Sequence, residues 1–450
     1  MCIRDSGRPM VTDNERAIKE LKGIVDYLLL HNRRIVNRID DSVVRFTCGS
    51  PVMLRRARGY APSWIKLPFK LNTVVIAFGA ELQNAGGVAF EDKAVLTQFI
   101  GDTDEYENLE ELEKYLLKLI NLYHIDISKS ILVSDLHPNY NSQRLAKSWS
   151  EKYGIPLVKV QHHIAHMASA MADAKHDPKE PAVGISIDGV GYGLDGNVWG
   201  GEVLLYHDMA FHRAGHLKYN VMPGGDIATK YPTRMLISLM YGSGFTPSEV
   251  LEFLEATGLT SSLPRGTLEF RIVTEQCKRG TLKTSSIGRL LDAFAAFFNV
   301  CTLRTYEGEP AIKLEAFSER GKLVEPLYNG CEDLIVFKEG KVIIDTNELF
   351  TRVYESLGSY KTVDLAYTVQ AILGRTLGCI ALGLCREHKC KHVYVSGGAA
   401  VNNIIVEHIL KALHKANVKV HIPLQVPPGD GGIALGQMYY YYIHNKTGKG

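Results

Sequence analysis

The chain has 450 residues, 46% of them hydrophobic and 22% charged, enough to bury a large core, and its length favours two or three domains. A net charge of +2 offers no basic surface for nucleic acid, no apolar run approaches the roughly 18–20 residues that span a bilayer, and the N-terminus lacks a signal-type apolar stretch. A cytoplasmic protein is expected, and its eight cysteines, with no C-x2-C pair, read as reduced core thiols.

In chain order, residues 1–9 (MCIRDSGRP) share no periodicity with the rest of the chain and read as an artefact, with a domain expected upstream. Residues 10–68 hold a helix-like NERAIKELKGIVDYLLLHNR and a strand-like, basic DDSVVRFTCGSPVMLRRARGYAPSWIKLP that closes in a proline-containing linker. This is the pattern of the tail of a separate domain. From about residue 71, short strand-like runs at 73–78, 131–134, 183–187 and 392–395 alternate with helical stretches, which predicts an α/β fold. Each run ends in Gly or Asp, where backbone N–H groups can meet a phosphate. The recurrence in both halves predicts a duplicated nucleotide-binding fold, with lobes at about 71–215 and 216–450. Neither a Walker A loop nor G-x-G-x-x-G fits the spacing.

Within this frame VQHHIAH places His162 and His166 four residues apart in a segment without a helix breaker, so both imidazoles project from one helix face and can share a cation. The strand-like AVGISIDG ends at Asp188, where open α/β folds place their chemistry. Asp430 in PPGDGGIALGQ is a second acid beside glycines, so the metal set is His162, His166, Asp188 and Asp430, which suits zinc or iron. His163 lies off that face and reads as a surface residue or a support of the ligands. Asp135 and His137, in SDLHPNY, read as strand-end structure more than as partners of the site.

Gly224, Gly225 and Asp226 suit a nucleotide contact, with close backbone approach and a carboxylate for a ribose. Ser285, Ser286, Arg289 and Asp292 of SSIGRLLDA offer hydroxyls and a guanidinium at a helix start, with Ser285 also a candidate helix cap. Glu307 of YEGEP stands as a catalytic acid or a helix support. The basic Arg55-Arg56-Ala57-Arg58 run reads as a phosphate clamp or a solvated face.

Taken in order, VVIAFGAELQN, SDLHPNY, VQHHIAH, IDGVGYGLDGNVWGGE, PGGD, SSIGRLLDA, YEGEPAIKLE, SGGAAVNN and PPGDGGIALGQ resemble the HypF carbamoyltransferases of nickel-iron hydrogenase maturation, over nearly all of residues 20–440. The resemblance implies an actin/hexokinase/Hsp70-type nucleotide-binding fold, similar to TsaD, preceded by the end of a YrdC-like domain. It implies carbamoyl-adenylate, made from carbamoyl phosphate and ATP, as donor and the C-terminal cysteine of a HypE-type protein as acceptor. It also implies a divalent metal on His162, His166, Asp188 and Asp430, catalytic roles for Asp188, Arg289 and Glu307, and nucleotide contacts at Gly224, Gly225, Asp226, Ser286, Gly397, Gly398 and Asn402. Gln83, Gly86, Gly87 and Gly429 depart from the family pattern without touching a ligand. With most of the YrdC-like domain absent, adenylation by this chain alone is not expected. An O-carbamoyltransferase of small molecules and a non-catalytic partner-binding fragment are the alternatives, and a tRNA substrate is disfavoured.

Overall fold

Burial along Trp64–Ala77 alternates at first, with Ile65, Leu67, Phe69 and Leu71 inward, and becomes continuous from Val75 to Ala77. The strand therefore enters the fold half-covered and ends covered on both faces. In this computed structural model, which describes residues 11–330, 332–414 and 416–446, that strand pairs antiparallel with Gly87–Leu96 and parallel with Ser130–Asp135, which is parallel to Leu157–Val160. The second sheet repeats the scheme. Ala182–Tyr192 pairs antiparallel with Val198–His207 and parallel with His392–Ser396, which is parallel to Lys419–His421. The shared order is the expected duplicated nucleotide-binding fold.

Two helices lie between the sheets. His162–Asp173 faces the second sheet, and Ile433–Lys446 covers the first and crosses the His-bearing helix. Their apolar faces merge in one core that includes Ala165, Met167, Ala168, Met171, Ile433, Ala434, Leu435 and Met438. The crossing is close because Gly436 has no side chain: a Cβ there would lie 1.9 Å from the Ala165 carbonyl oxygen. Tyr106–Leu122 and Asn141–Tyr153 cover the outer face of the first sheet, and Ile287–Phe297 and Thr362–Glu387 belong to the core on the outer face of the second.

Several sequence expectations are corrected. The chain changes sheet between Val160 and Ala182 and not near residue 215, because the hairpin strands that follow Ala182 belong to the second sheet. The proline-containing linker expected to close residues 10–68 runs into the strand Trp64–Ala77; Pro68 is tolerated where the pairing with the neighbouring strand breaks, between Lys66 and Leu71. Thr362–Glu387 is long and apolar enough to cross a bilayer, although 72% of its most apolar window is buried in the protein. Cys48, Cys277, Cys301, Cys385 and Cys390 are free thiols but Cys379 is disulfide-bonded, against the expectation of reduced thiols. Residues 1–9, read as an artefact, lie outside the described residues.

The segment from Asn14 to Tyr60 is docked onto the lobes. Its hairpin, Val43–Thr47 with Ser50–Arg55, ties to the second lobe through Thr47 Oγ1 donating to the Val401 carbonyl (3.1 Å) and Cys48 N–H to Asn403 Oδ1 (2.9 Å). The basic run is neither a clamp nor a solvated face at its centre. Arg56 is buried and donates to the carbonyls of Tyr60, Ser63 and Gln425, while Arg55 pairs with Asp40 and Arg58 with Asp41.

Candidate metal centre

The helix His162–Asp173 starts where the Gln161 side chain accepts from the Ile164 N–H, and its alanine-rich sequence continues without interruption. His162 and His166 fall one turn apart on the same face, both buried. Asp188 comes from the central strand of the second sheet, and Asp430 from the turn that precedes Ile433–Lys446. His162 Nε2 lies 3.3 Å from Asp188 Oδ2 and 3.6 Å from Asp430 Oδ1; His166 Nε2 lies 3.6 and 3.5 Å from the same two oxygens. A four-coordinate ion with bonds of roughly 2.0–2.1 Å separates its ligand atoms by roughly 3.3–3.4 Å. The four imidazole-to-carboxylate edges therefore match such an ion, and all four donor atoms lie within 4.8 Å of one another. His166 Nε2, fully enclosed, has those carboxylate oxygens at the limit of hydrogen-bond reach and no well-made hydrogen bond, an arrangement that an ion satisfies.

The ligands are themselves held. Asp135 Oδ2 accepts from His162 Nδ1 at 2.8 Å while its Oδ1 accepts the His137 N–H at 2.9 Å, so Asp135 orients a ligand as well as closing its strand, a correction to its reading as structure alone. Such a carboxylate fixes the tautomer that turns Nε2 toward an ion. The Gly398 N–H donates to Asp188 Oδ1 (2.8 Å), and the Gly397 N–H donates to the Pro428 carbonyl (2.7 Å), which stitches the two glycine loops together. Gly397 has φ +99°, and a Cβ on it would lie 2.2 Å from the Ile187 carbonyl oxygen. His163 is fully buried, not on the surface; its Nδ1 lies 3.1 Å from Gln161 Nε2, and its ring and that of His162 pack over Gly191.

Burial opposes charge on His162, but Asp430, Asp135 and Asp188 outweigh it and hold its pKa well above the ordinary imidazole value. His166 is raised in the same way by Asp188 and Asp430. Burial pushes Asp188 up, yet the two imidazoles hold it well below the carboxylate range, and Asp430 follows in the same direction. Without an ion, protons on the imidazoles balance the carboxylates; a cation replaces them.

The remaining sequence-predicted residues take different places. Ser286, and not Ser285, caps Ile287–Phe297, and its hydroxyl donates to the carbonyls of Asp188 and Gly189 at 3.0 and 2.6 Å. Ser285 donates to Glu202 (2.6 Å). Arg289 is 3% exposed, its Nη2 beside Gly189 pairs with Asp292 at 3.1 Å, and its Nε and Nη1 have no hydrogen-bond partners. Burial pushes the Asp292 pKa up to about 6 despite that guanidinium. Ser285, Ser286 and Arg289 line a cavity together with Lys218, Asn220 and Thr346. Gly224 and Gly225 form a left-handed turn (φ +83° and +61°) with Asp226 at the start of Ile227–Lys230; Arg234, paired with Glu269, donates to the Pro223 carbonyl and braces the turn.

Glu307 is exposed, bonds Arg304 at 2.6 Å and stays outside the four-ligand cluster. Asn402 is turned inward: its Oδ1 accepts the Ile405 N–H and its Nδ2 donates to Gln370 Oε1, so its amide serves the helix Asn403–Leu413. Sequence reasoning missed Glu202, which is fully buried and accepts from Ser285, Arg213 and the N–H groups of Gly200 and Gly201. An acid in a glycine-flanked strand, with Arg213 across the hairpin, was its only signal.

Comparison with known proteins places this geometry. Residues 184–437 match the family model described as carbamoyltransferase, Kae1-like domain, second subdomain; residues 70–173 match the HypF Kae1-like domain, and residues 3–57 a model described as telomere recombination. A protein of Methanocaldococcus jannaschii named probable carbamoyltransferase HypF is 39% identical over 98% of this chain and 55% of its own length. The carbamoyltransferase HypF of Synechocystis is 32% identical over 96% of this chain and 55% of its own length. The crystal structure of T. kodakarensis HypF superposes with a TM-score of 0.87 at 38% identity, covering 98% of this chain and 56% of that one. A full-length HypF structure in the phosphate- and nucleotide-bound form gives 0.87 at 32% identity, covering 99% and 56%. This chain thus spans about half the length of the relatives it matches.

Proposed function

The chain belongs to the HypF carbamoyltransferase family, and from that premise we propose that it transfers a carbamoyl group from carbamoyl-adenylate to the C-terminal cysteine thiolate of a HypE-type protein in the cytoplasm. The observation that carries the reading is the buried set His162, His166, Asp188 and Asp430, at ligand spacing between two nucleotide-binding lobes. In the transfer, the thiolate sulfur bonds to the carbamoyl carbon, the bond from that carbon to the adenylate oxygen breaks, and AMP leaves with the electron pair.

A divalent ion, zinc or iron, held by those four residues would polarise the carbamoyl oxygen as a Lewis acid. The chain's own groups supply the rest. Asp135 keeps His162 Nε2 turned inward, and Gly398 fixes Asp188. Arg289 lines the cavity and keeps two buried N–H donors, Nε and Nη1, without partners, a guanidinium suited to the negative charge on the leaving adenylate. The turn at Gly224 and Gly225 and the loop at Gly397 and Gly398 let backbone come close to the nucleotide. Carbamoyl phosphate and ATP are substrates of the adenylation step, which belongs to a complete YrdC-like domain; only residues 3–57 match that part.

The test is intact-mass analysis of a HypE-type protein incubated with this chain, an intact YrdC-like domain, ATP and carbamoyl phosphate. The expected product is a carbamoyl adduct on the C-terminal cysteine that is absent with His162→Ala. No adduct from folded, metal-loaded protein would refute the acceptor and move the reading to a small-molecule hydroxyl.

A further inference from the structure

At the opposite end of the second sheet from the glycine loops, His176, Glu180 and His392 converge. One ring nitrogen from each histidine and one carboxylate oxygen lie within 4.8 Å of one another. His176 follows the His-bearing helix and is buried; His392 opens the strand His392–Ser396, and Glu180 is exposed at the mouth. His392 Nε2 lies 3.5 Å from Glu180 Oε2, and His176 Nε2 lies 2.9 Å from the Glu180 carbonyl oxygen. We propose that His176, His392 and Glu180 form a second site for a borderline divalent cation such as zinc, independent of the His162 centre.

The outer halves of both imidazoles carry the argument. His176 Nδ1 is engaged by the Tyr394 hydroxyl at 2.8 Å and His392 Nδ1 by His421 Nε2 at 2.9 Å. The Nδ1 partner of His392 leaves its Nε2 facing the common point, the arrangement that orients ligating histidines, whereas His176 Nε2 donates to the Glu180 carbonyl oxygen and gives up that proton when an ion binds. Tyr394 and His421 stack with ring centroids 4.9 Å apart, which fixes the two partners against each other. The facing charges are Glu180 and Asp177 on the acidic side and Lys419 on the basic side. Two nitrogens and one carboxylate make a mixed N/O set that suits zinc better than calcium or magnesium. Glu180, half exposed, gives the ion a route from solvent.

The experiment is zinc titration of the metal-stripped chain against a chromophoric chelator, with bound zinc counted by elemental analysis. Wild type is expected to bind two ions and His162→Ala one. Glu180→Ala and His392→Ala are each expected to weaken the remaining ion at least tenfold. Glu180→Ala touches no core packing, so its result stands even where His392→Ala disturbs the strand. The inference is overturned if wild type binds one ion and His162→Ala none, or if Glu180→Ala in the His162→Ala background leaves zinc affinity unchanged. Because this readout is metal binding alone, it stands or falls separately from carbamoyl transfer.

Discussion

Replacing Asp135 by Asn exchanges one oxygen for an NH2 group in a pocket that has no space to adapt. In the native protein both carboxylate oxygens are used: Oδ2 accepts from His162 Nδ1 at 2.8 Å and Oδ1 from the His137 N–H at 2.9 Å, and Asp135 and His162 are both fully buried. Asn has a single acceptor oxygen, so it can serve one of these donors only while presenting N–H to the other. If it serves His137, the His162 tautomer that points Nε2 at Asp188 and Asp430 loses its support. If it serves His162, the backbone N–H of His137 is left facing a donor, and the negative charge that raises the basicity of His162 is gone in either case. Loss of an outer partner of this kind lowers metal affinity 10–100-fold, about 1.4–2.8 kcal/mol. Zinc affinity measured by chelator competition, with circular dichroism to confirm the fold, is the assay. A folded Asp135→Asn protein with affinity within threefold of wild type would refute the claim that Asp135 sets the ligand.

Arg289→Met should reduce carbamoyl transfer by roughly 10²–10³-fold with zinc content unchanged; the fold survives because Asp292, already raised to about 6 by burial, takes up a proton when its partner goes. Unchanged transfer would make Arg289 merely the partner of Asp292. Gly397→Ala forces a side chain onto φ +99°, 2.2 Å from the Ile187 carbonyl oxygen, and should cost about 3 kcal/mol or more in urea unfolding while loosening Asp188; a loss under about 1 kcal/mol would contradict the geometry. Glu309, bonded to Thr305 and Lys313, has its pKa held down to about 2 from an ordinary 4.5 by those partners against the pull of burial. Its folded value is depressed, so its contribution is present above pH 4.5 and is lost as pH falls toward 2. Glu309→Gln should therefore cost about 1–2 kcal/mol at pH 7 and almost nothing near pH 2, a difference that urea midpoints across that range would reveal.

Much of the centre was legible because its signals are local. His162 and His166 share a helix turn, and Asp188 ends the covered stretch of a strand, so local pattern pointed to three of the four side chains that cluster. Asp430 was readable only as an acid among glycines and through the family pattern, since 268 residues separate it from His162. What stayed hidden depends on contacts between distant segments. Asp135 looks like any strand-end acid until Leu157–Val160 brings His162 beside it. Asn402 sits in a loop motif that suggests a ligand, but Gln370 on another helix claims its amide. The lobe boundary was misplaced because the strands of the hairpins after Ala182 carry no mark of which sheet they join.

The four ligand atoms do not belong to one lobe. The histidines ride on the helix between the sheets, Asp188 is fixed to the second sheet, and Asp430 sits where the chain turns back into the helix that covers the first. With Gly436 setting how closely those two helices cross, the quartet is a gauge of lobe spacing: an opening of an ångström or two lengthens edges that join different elements, while the edge between the two histidines, on one helix, keeps its length. Under the proposed metal reading, retained metal reports the register of the two halves, and elemental analysis of a variant altered far from the centre reads out whether its lobes still meet at the native distance.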